Sequence, residues 1–88
     1  SKIRVVDDIM PDQTRPYGVI SANVRFPTLK QLGELICSSL RSGGFAVCSG
    51  VRPWERSEMI SHYQGHGFEL IQSTELKNWA AFVFRKNM

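Results

Sequence analysis

At 88 residues the chain has room for one small domain with a modest core, burying roughly 60–65% of its extended surface. A hydrophobic content of 42%, with five Phe, two Trp and two Tyr, excludes a disordered segment, and no apolar run approaches the ~20 residues that cross a bilayer. Net charge is +3, from eleven Lys/Arg against eight Asp/Glu; this is compatible with an anionic partner such as RNA, but there is no dense basic run.

The start, Ser1 to Arg4, has no signal-peptide pattern, because Asp7-Asp8 arrives before any apolar core. Cys37 and Cys48 are too few and too far apart for a zinc site. One falls in a helical pattern and one in a strand pattern, which suggests buried small hydrophobes and a reducing, cytoplasmic setting.

In chain order, Lys2 to Val6 alternates polar and apolar and is a short strand candidate. Asp7-Asp8 and the stretch from Pro11 to Pro16 form a polar, proline-bracketed connector, since each proline pushes its predecessor out of helical geometry. Tyr17 to Ala22 predicts a second strand ending at Asn23-Val24, with β-branched Val19 and Ile20 adjacent. Thr28 to Arg41 predicts a helix, with Thr28 and Gln31 in a capping-box pattern. Leu29, Leu32, Leu35, Ile36 and Leu40 form its apolar stripe, and Gly43-Gly44 would stop it.

Ser42 to Gly50 then carries a five-residue run without charge. In Phe45-Ala46-Val47-Cys48 neither alternate face looks solvated, which is how a strand covered on both faces in a parallel sheet reads. Pro53 to Gln64 predicts a second helix with Pro53 at its first position, a narrow stripe of Met59, Ile60 and Tyr63, and an end at Gly65 and Gly67. Phe68 to Thr74 and Trp79 to Arg85 predict an antiparallel hairpin around residues 75–78. Phe68, Leu70 and Gln72 would share one face, as would Phe82 and Phe84, with Trp79, Ala81 and Val83 opposite. The fold class expected is α/β, in the order β-β-α-β-α-β-β, mostly parallel with a C-terminal antiparallel hairpin.

That order, with these residues, resembles the carboxy-terminal half of a class I S-adenosylmethionine-dependent methyltransferase, nearest to the PrmA type that methylates a ribosomal protein. The residues that carry the resemblance are Tyr17–Val24, Leu40–Gly50 with its Gly-Gly and Ser-Gly pairs, and Gly67–Leu70 followed by Trp79–Lys86. Residues 1–88 are accordingly read as a single domain, a partial Rossmann-like methyltransferase sheet. No strand here leads into a G-x-G-x-G turn; Gly65-x-Gly67 follows a helix instead. The resemblance implies that the glycine-rich cofactor cradle is not in this chain, and that the chain alone is inactive.

Asn23 is the residue that the resemblance makes functional. It implies that Asn23 orients a target amine toward the methyl group of S-adenosylmethionine, a catalytic and cofactor-binding position shared with Ala22 beside it. On its own, Asn at a strand end is equally a turn residue. Arg25-Phe26-Pro27 departs from the small or apolar residues that the family often places next.

Other candidates are weaker. His62 and His66, four apart, could form a metal pair with Glu58, but the helix is ending there. Trp54 and Trp79 read as packing residues rather than a base-stacking platform. A second functional class is a non-enzymatic protein- or RNA-interaction module built on the half-fold. By the family's strand order the Tyr17 strand becomes an unpaired edge, inviting a homodimer or domain swap, and Lys2–Val6 loses its neighbour and is expected to be displaced or disordered.

Overall fold

In a computed structural model the described residues are 2–6 and 17–87, the first five as backbone. The element order is β1 (Lys2–Val6), β2 (Tyr17–Asn23), α1 (Phe26–Ser39), β3 (Leu40–Val51), a 3-10 turn (Pro53–Glu55), α2 (Arg56–Gln64), β4 (Phe68–Leu76) and β5 (Trp79–Lys86). The α/β class and the order of elements are as expected. Asp7-Asp8 and the proline-bracketed connector lie outside the described residues.

One five-stranded sheet runs β1-β2-β3-β5-β4. Only β2 and β3 are parallel, and the other neighbours pair antiparallel, so the sheet is less parallel than expected. A parallel pair needs a crossover, and α1 supplies the one that joins sheet neighbours. After α2 the chain enters β4 at the far edge and returns through β5, which takes the place beside β3. β1 is not displaced either. It lies on β2 from Lys2↔Asn23 to Val6↔Val19, so β2 is an interior strand with its backbone groups paired on both sides.

The start of α1 is set by proline rather than by threonine. Arg25 is extended (φ −69°, ψ 158°) and holds the cap position without a side-chain hydrogen bond. Pro27 sits in the first turn, where its fixed φ suits the helix and its missing N–H costs nothing. Thr28 is therefore inside the helix and the expected capping box does not form.

At the other end, Leu40 passes straight into β3. The Gly43-Gly44 pair makes an irregularity inside that strand instead of stopping the helix. Pairing jumps from Tyr17↔Leu40 to Val19↔Phe45, with Gly43 at φ 81°. A Cβ on Gly44 would lie 2.9 Å from the carbonyl oxygens of both Gly18 and Arg41, so backbone approaches backbone there.

Both helices pack on one face of the sheet. Ile20 and Ala22 of β2, Ala46 and Cys48 of β3, and Ala80, Phe82 and Phe84 of β5 form the floor. Leu29 and Ile36 of α1 and Met59 and Tyr63 of α2 close over it. Tyr63 anchors the centre: its ring stacks on Phe84 at 5.0 Å and lies 5.3 Å from Phe68, and its hydroxyl donates to the Leu29 carbonyl at 2.9 Å.

The helices approach closely because Gly33 has no side chain; a Cβ there would meet the His66 ring at 3.0 Å. Leu35, expected in the stripe, is 53% exposed. Cys48 is buried as expected, while Cys37 is half-buried and donates to the His66 carbonyl at 3.0 Å; both are free thiols.

The opposite sheet face is only partly buried, contrary to the two-sided burial expected for Phe45–Cys48. Phe45 is exposed and Val19, Val47 and Val83 are half-buried, aligned across three strands by the pairs Val19↔Phe45 and Val47↔Val83. In the hairpin, Phe82 and Phe84 face the core as expected. Gln72 does not follow Phe68 and Leu70, because a bulge between Leu70 and Gln72 breaks the alternation.

Candidate functional site

The carboxyl ends of the parallel pair meet the start of β5. Asn23 ends β2 opposite Ser49 of β3, and β5 begins alongside with Val51 opposite Ala80. Between the two strand ends Gly50 turns at φ 93°, where a Cβ would lie 2.5 Å from the Val24 carbonyl oxygen and 3.2 Å from Asn23 Oδ1. This glycine lets the two strand ends converge and leaves room for the Asn23 carboxamide. Val24 and Val51 turn inward and fix both segments in the core.

A pocket of about 740 Å³ opens at this edge. Asn23, Val24, Ser49 and Gly50 form its floor, Arg25 and Thr28 one wall, and Trp79 the other. Asn23 is exposed and, among the described residues, its carboxamide has no hydrogen-bond partner. Ala22 is 1% exposed with its side chain in the core, so it supports Asn23 from beneath without lining the pocket. Among the described residues no acidic side chain lines the pocket. The Asn23 carboxamide oxygen can accept from a small polar or amine-bearing group; an acidic partner for ribose hydroxyls is not among the described lining residues.

Trp79 and Trp54 are not packing residues. Trp54 is 76% exposed and Trp79 lies at the pocket mouth. Between them stands Arg52, its guanidinium 3.9 Å from the Trp79 ring centre and 5.9 Å from that of Trp54. Arg52 also donates to the Asn78 carbonyl at 3.3 Å. Its backbone is held by a reciprocal pair: the Arg52 N–H donates to Glu55 Oε1 at 2.8 Å, and the Glu55 N–H to the Arg52 carbonyl at 2.9 Å.

The candidate metal pair does not assemble. His62 Nε2 lies 3.0 Å from the Lys30 carbonyl, and the His66 ring packs edge-on against it. Glu58 turns away to Lys30 Nζ at 2.8 Å. Among the described residues no group of three His, Cys, Asp or Glu could hold a metal ion. Nor is any described helix long and apolar enough to cross a membrane.

The family model for ribosomal protein L11 methyltransferase (PrmA) matches residues 1–87. The chain belongs to that family. A ribosomal protein L11 methyltransferase from Hydrogenovibrio crunogenus is 25% identical over 76 residues, 86% of this chain and 26% of that protein. The Staphylococcus aureus protein of the same name is 23% identical over 82 residues, 93% of this chain and 26% of its own length. This PrmA-family chain thus spans about a quarter of the curated relatives that it matches.

Its fold is that of a crystallised ribosomal protein L11 methylase from Lactobacillus delbrueckii subsp. bulgaricus. The TM-score is 0.77 at 17% identity, over 82% of this chain and 37% of that one. HP1264 from Helicobacter pylori, solved in solution, superposes less well, with a TM-score of 0.53 at 20% identity over 75% of this chain and 97% of that one.

Proposed function

We propose that this chain is the acceptor-side part of an S-adenosylmethionine-dependent methyltransferase that acts on a ribosomal protein in the cytoplasm, and that it is inactive by itself. The observation that carries the proposal is the placement of Asn23, in a chain of this family, in an open pocket at the carboxyl end of the parallel pair with its carboxamide unpartnered among the described residues. Open α/β sheets bind ligands at that end.

When bound, S-adenosylmethionine supplies an electrophilic methyl group on a sulfonium. Asn23 Oδ1 accepts from the target amine and turns the nitrogen lone pair toward the methyl-bearing side of the pocket, a contribution of positioning and not of proton transfer. Cofactor contact falls to the same carboxamide, with Ala22 holding its backbone in place. Gly50 keeps the carboxamide from being pressed aside. The sequence contains no glycine-rich turn after a strand, and the described lining residues include no acid, so firm binding of the nucleoside falls to another segment.

An amide NMR titration with S-adenosylhomocysteine tests this. Shifts centred on Asn23, Ser49 and Gly50, weakened about tenfold or more in Asn23→Ala, are expected. A folded spectrum without shifts at that edge removes the cofactor role, and methyl transfer by the isolated chain removes the inactivity.

A further inference from the structure

We propose that the mouth of this pocket docks a peptide segment carrying a carboxylate close to its amine, gripped by Arg25 and Arg52. This rests on the reading of Asn23 as the methyl-transfer edge and names the kind of segment brought there.

Arg25 stands on one wall and, among the described residues, its side chain has no partner. Arg52 does not line the pocket itself but stacks on Trp79, which does, and is fixed by the indole face and by one bond to the Asn78 carbonyl. A stacked guanidinium keeps its edge donors pointing outward in a rigid fork that matches a carboxylate. Glu55, the acidic residue nearest in sequence to Arg52, already accepts from that residue's own backbone N–H. With no acidic side chain among the described lining residues, the two guanidinium groups oppose an unaccompanied ammonium group. An amine reaches Asn23 more favourably when the same segment brings negative charge to the two guanidinium groups.

Trp54 and Leu76, 76% and 73% exposed, offer apolar ground beyond Arg52 for the rest of such a segment. A single-stranded RNA is the other anionic candidate, but it fits less well. One face of Trp79 is already taken by Arg52, and the sequence holds no dense run of Lys and Arg to track phosphates.

Trp54 and Trp79 are the two tryptophans of the chain, so indole fluorescence and amide NMR both report on this patch. The 88-residue chain is titrated at low salt with acetyl-Glu-Lys-Glu-amide, acetyl-Gln-Lys-Gln-amide and oligouridine. The acidic peptide is expected to bind about fivefold to tenfold more tightly than the neutral one. Arg25→Gln and Arg52→Gln should each remove most of that difference, while Arg85→Gln, whose partner is Glu69, leaves it intact.

Equal affinity for the two peptides overturns the proposal. So does a preference for oligouridine, or discrimination that survives both substitutions in a folded chain. Titrating the same samples with S-adenosylhomocysteine separates the two ideas. Cofactor shifts without peptide discrimination sink this proposal and leave the Asn23 reading standing. Peptide discrimination without cofactor shifts keeps the docking surface and removes the cofactor role.

Discussion

Cys48 and Tyr63 sit side by side at the bottom of the core, and both must stay protonated for the fold to hold. Burial pushes the Cys48 thiol from its ordinary 9.0 up to about 12, moderated by the neighbouring Tyr63 hydroxyl. Burial also pushes the Tyr63 phenol well above its ordinary 10.0, and the neighbouring Cys48 adds to this. Both are acids whose folded-state value is raised. Their contribution is therefore complete below pH 9.0 and is lost as pH climbs from there toward 12, because the unfolded chain releases protons that the folded chain keeps. Each group can contribute a slope of up to about 1.4 kcal/mol per pH unit. The urea midpoint should be level at neutral pH and fall steadily above pH 9.0. Tyr63→Phe removes the bond to the Leu29 carbonyl, costs about 1 kcal/mol at neutral pH, and should make the alkaline fall shallower. A midpoint that stays level through the alkaline range would show that neither group is held protonated by the fold.

Between elements, the junctions hold the site together, and Gly50 is the one to test. Gly50 and Gly67 share the same φ of 93°, so alanine pays a similar backbone cost at both, about 1 kcal/mol. Only at Gly50 does the new Cβ also run into the Val24 carbonyl and the Asn23 carboxamide; at Gly67 nothing lies within 4 Å. Gly50→Ala should therefore destabilise by at least about 2 kcal/mol and move the Asn23 side-chain amide resonances, whereas Gly67→Ala costs about half as much and leaves them in place. Equal losses in chemical denaturation would mean that the strand ends can part freely. The same junctions mark the limit of what was legible in the sequence. Periodicity revealed the α1 stripe around Leu29 and Ile36 and the Phe82/Phe84 face of β5. A glycine pair, however, looks alike whether it ends a helix or lets a strand bulge, and Gly43-Gly44 does the second. Asn23 was visible through its resemblance to a family position. The Arg52–Trp79 stack was not, because those residues are brought together by the antiparallel register of β3 and β5, which no local pattern encodes.

At the scale of the whole molecule, the order β1-β2-β3-β5-β4 places a charged strand outside an uncharged one. From Tyr17 to Asn23 the sequence of β2 carries no charge and no proline, the kind of strand that pairs readily with another chain when its backbone is uncovered. β1 covers it along five residue pairs, and the β1 sequence contains two cations, Lys2 and Arg4. Edge strands are commonly protected by such charges. The expectation of a bare β2 edge is thus replaced by a guarded one, and what the guard prevents can be measured. A chain shortened to begin at Tyr17 retains the described core residues of α1, α2 and β5 but should expose the ladder groups of β2. In sedimentation velocity at matched micromolar concentrations, its average mass should rise with concentration more steeply than that of the full chain. Substituting Lys for Val19, which lies on the partly buried face of the exposed strand, should suppress that rise. If the shortened chain stays folded and associates no more than the full one, the uncovered β2 ladder is not adhesive, and β1 serves the fold only by adding pairs to the sheet.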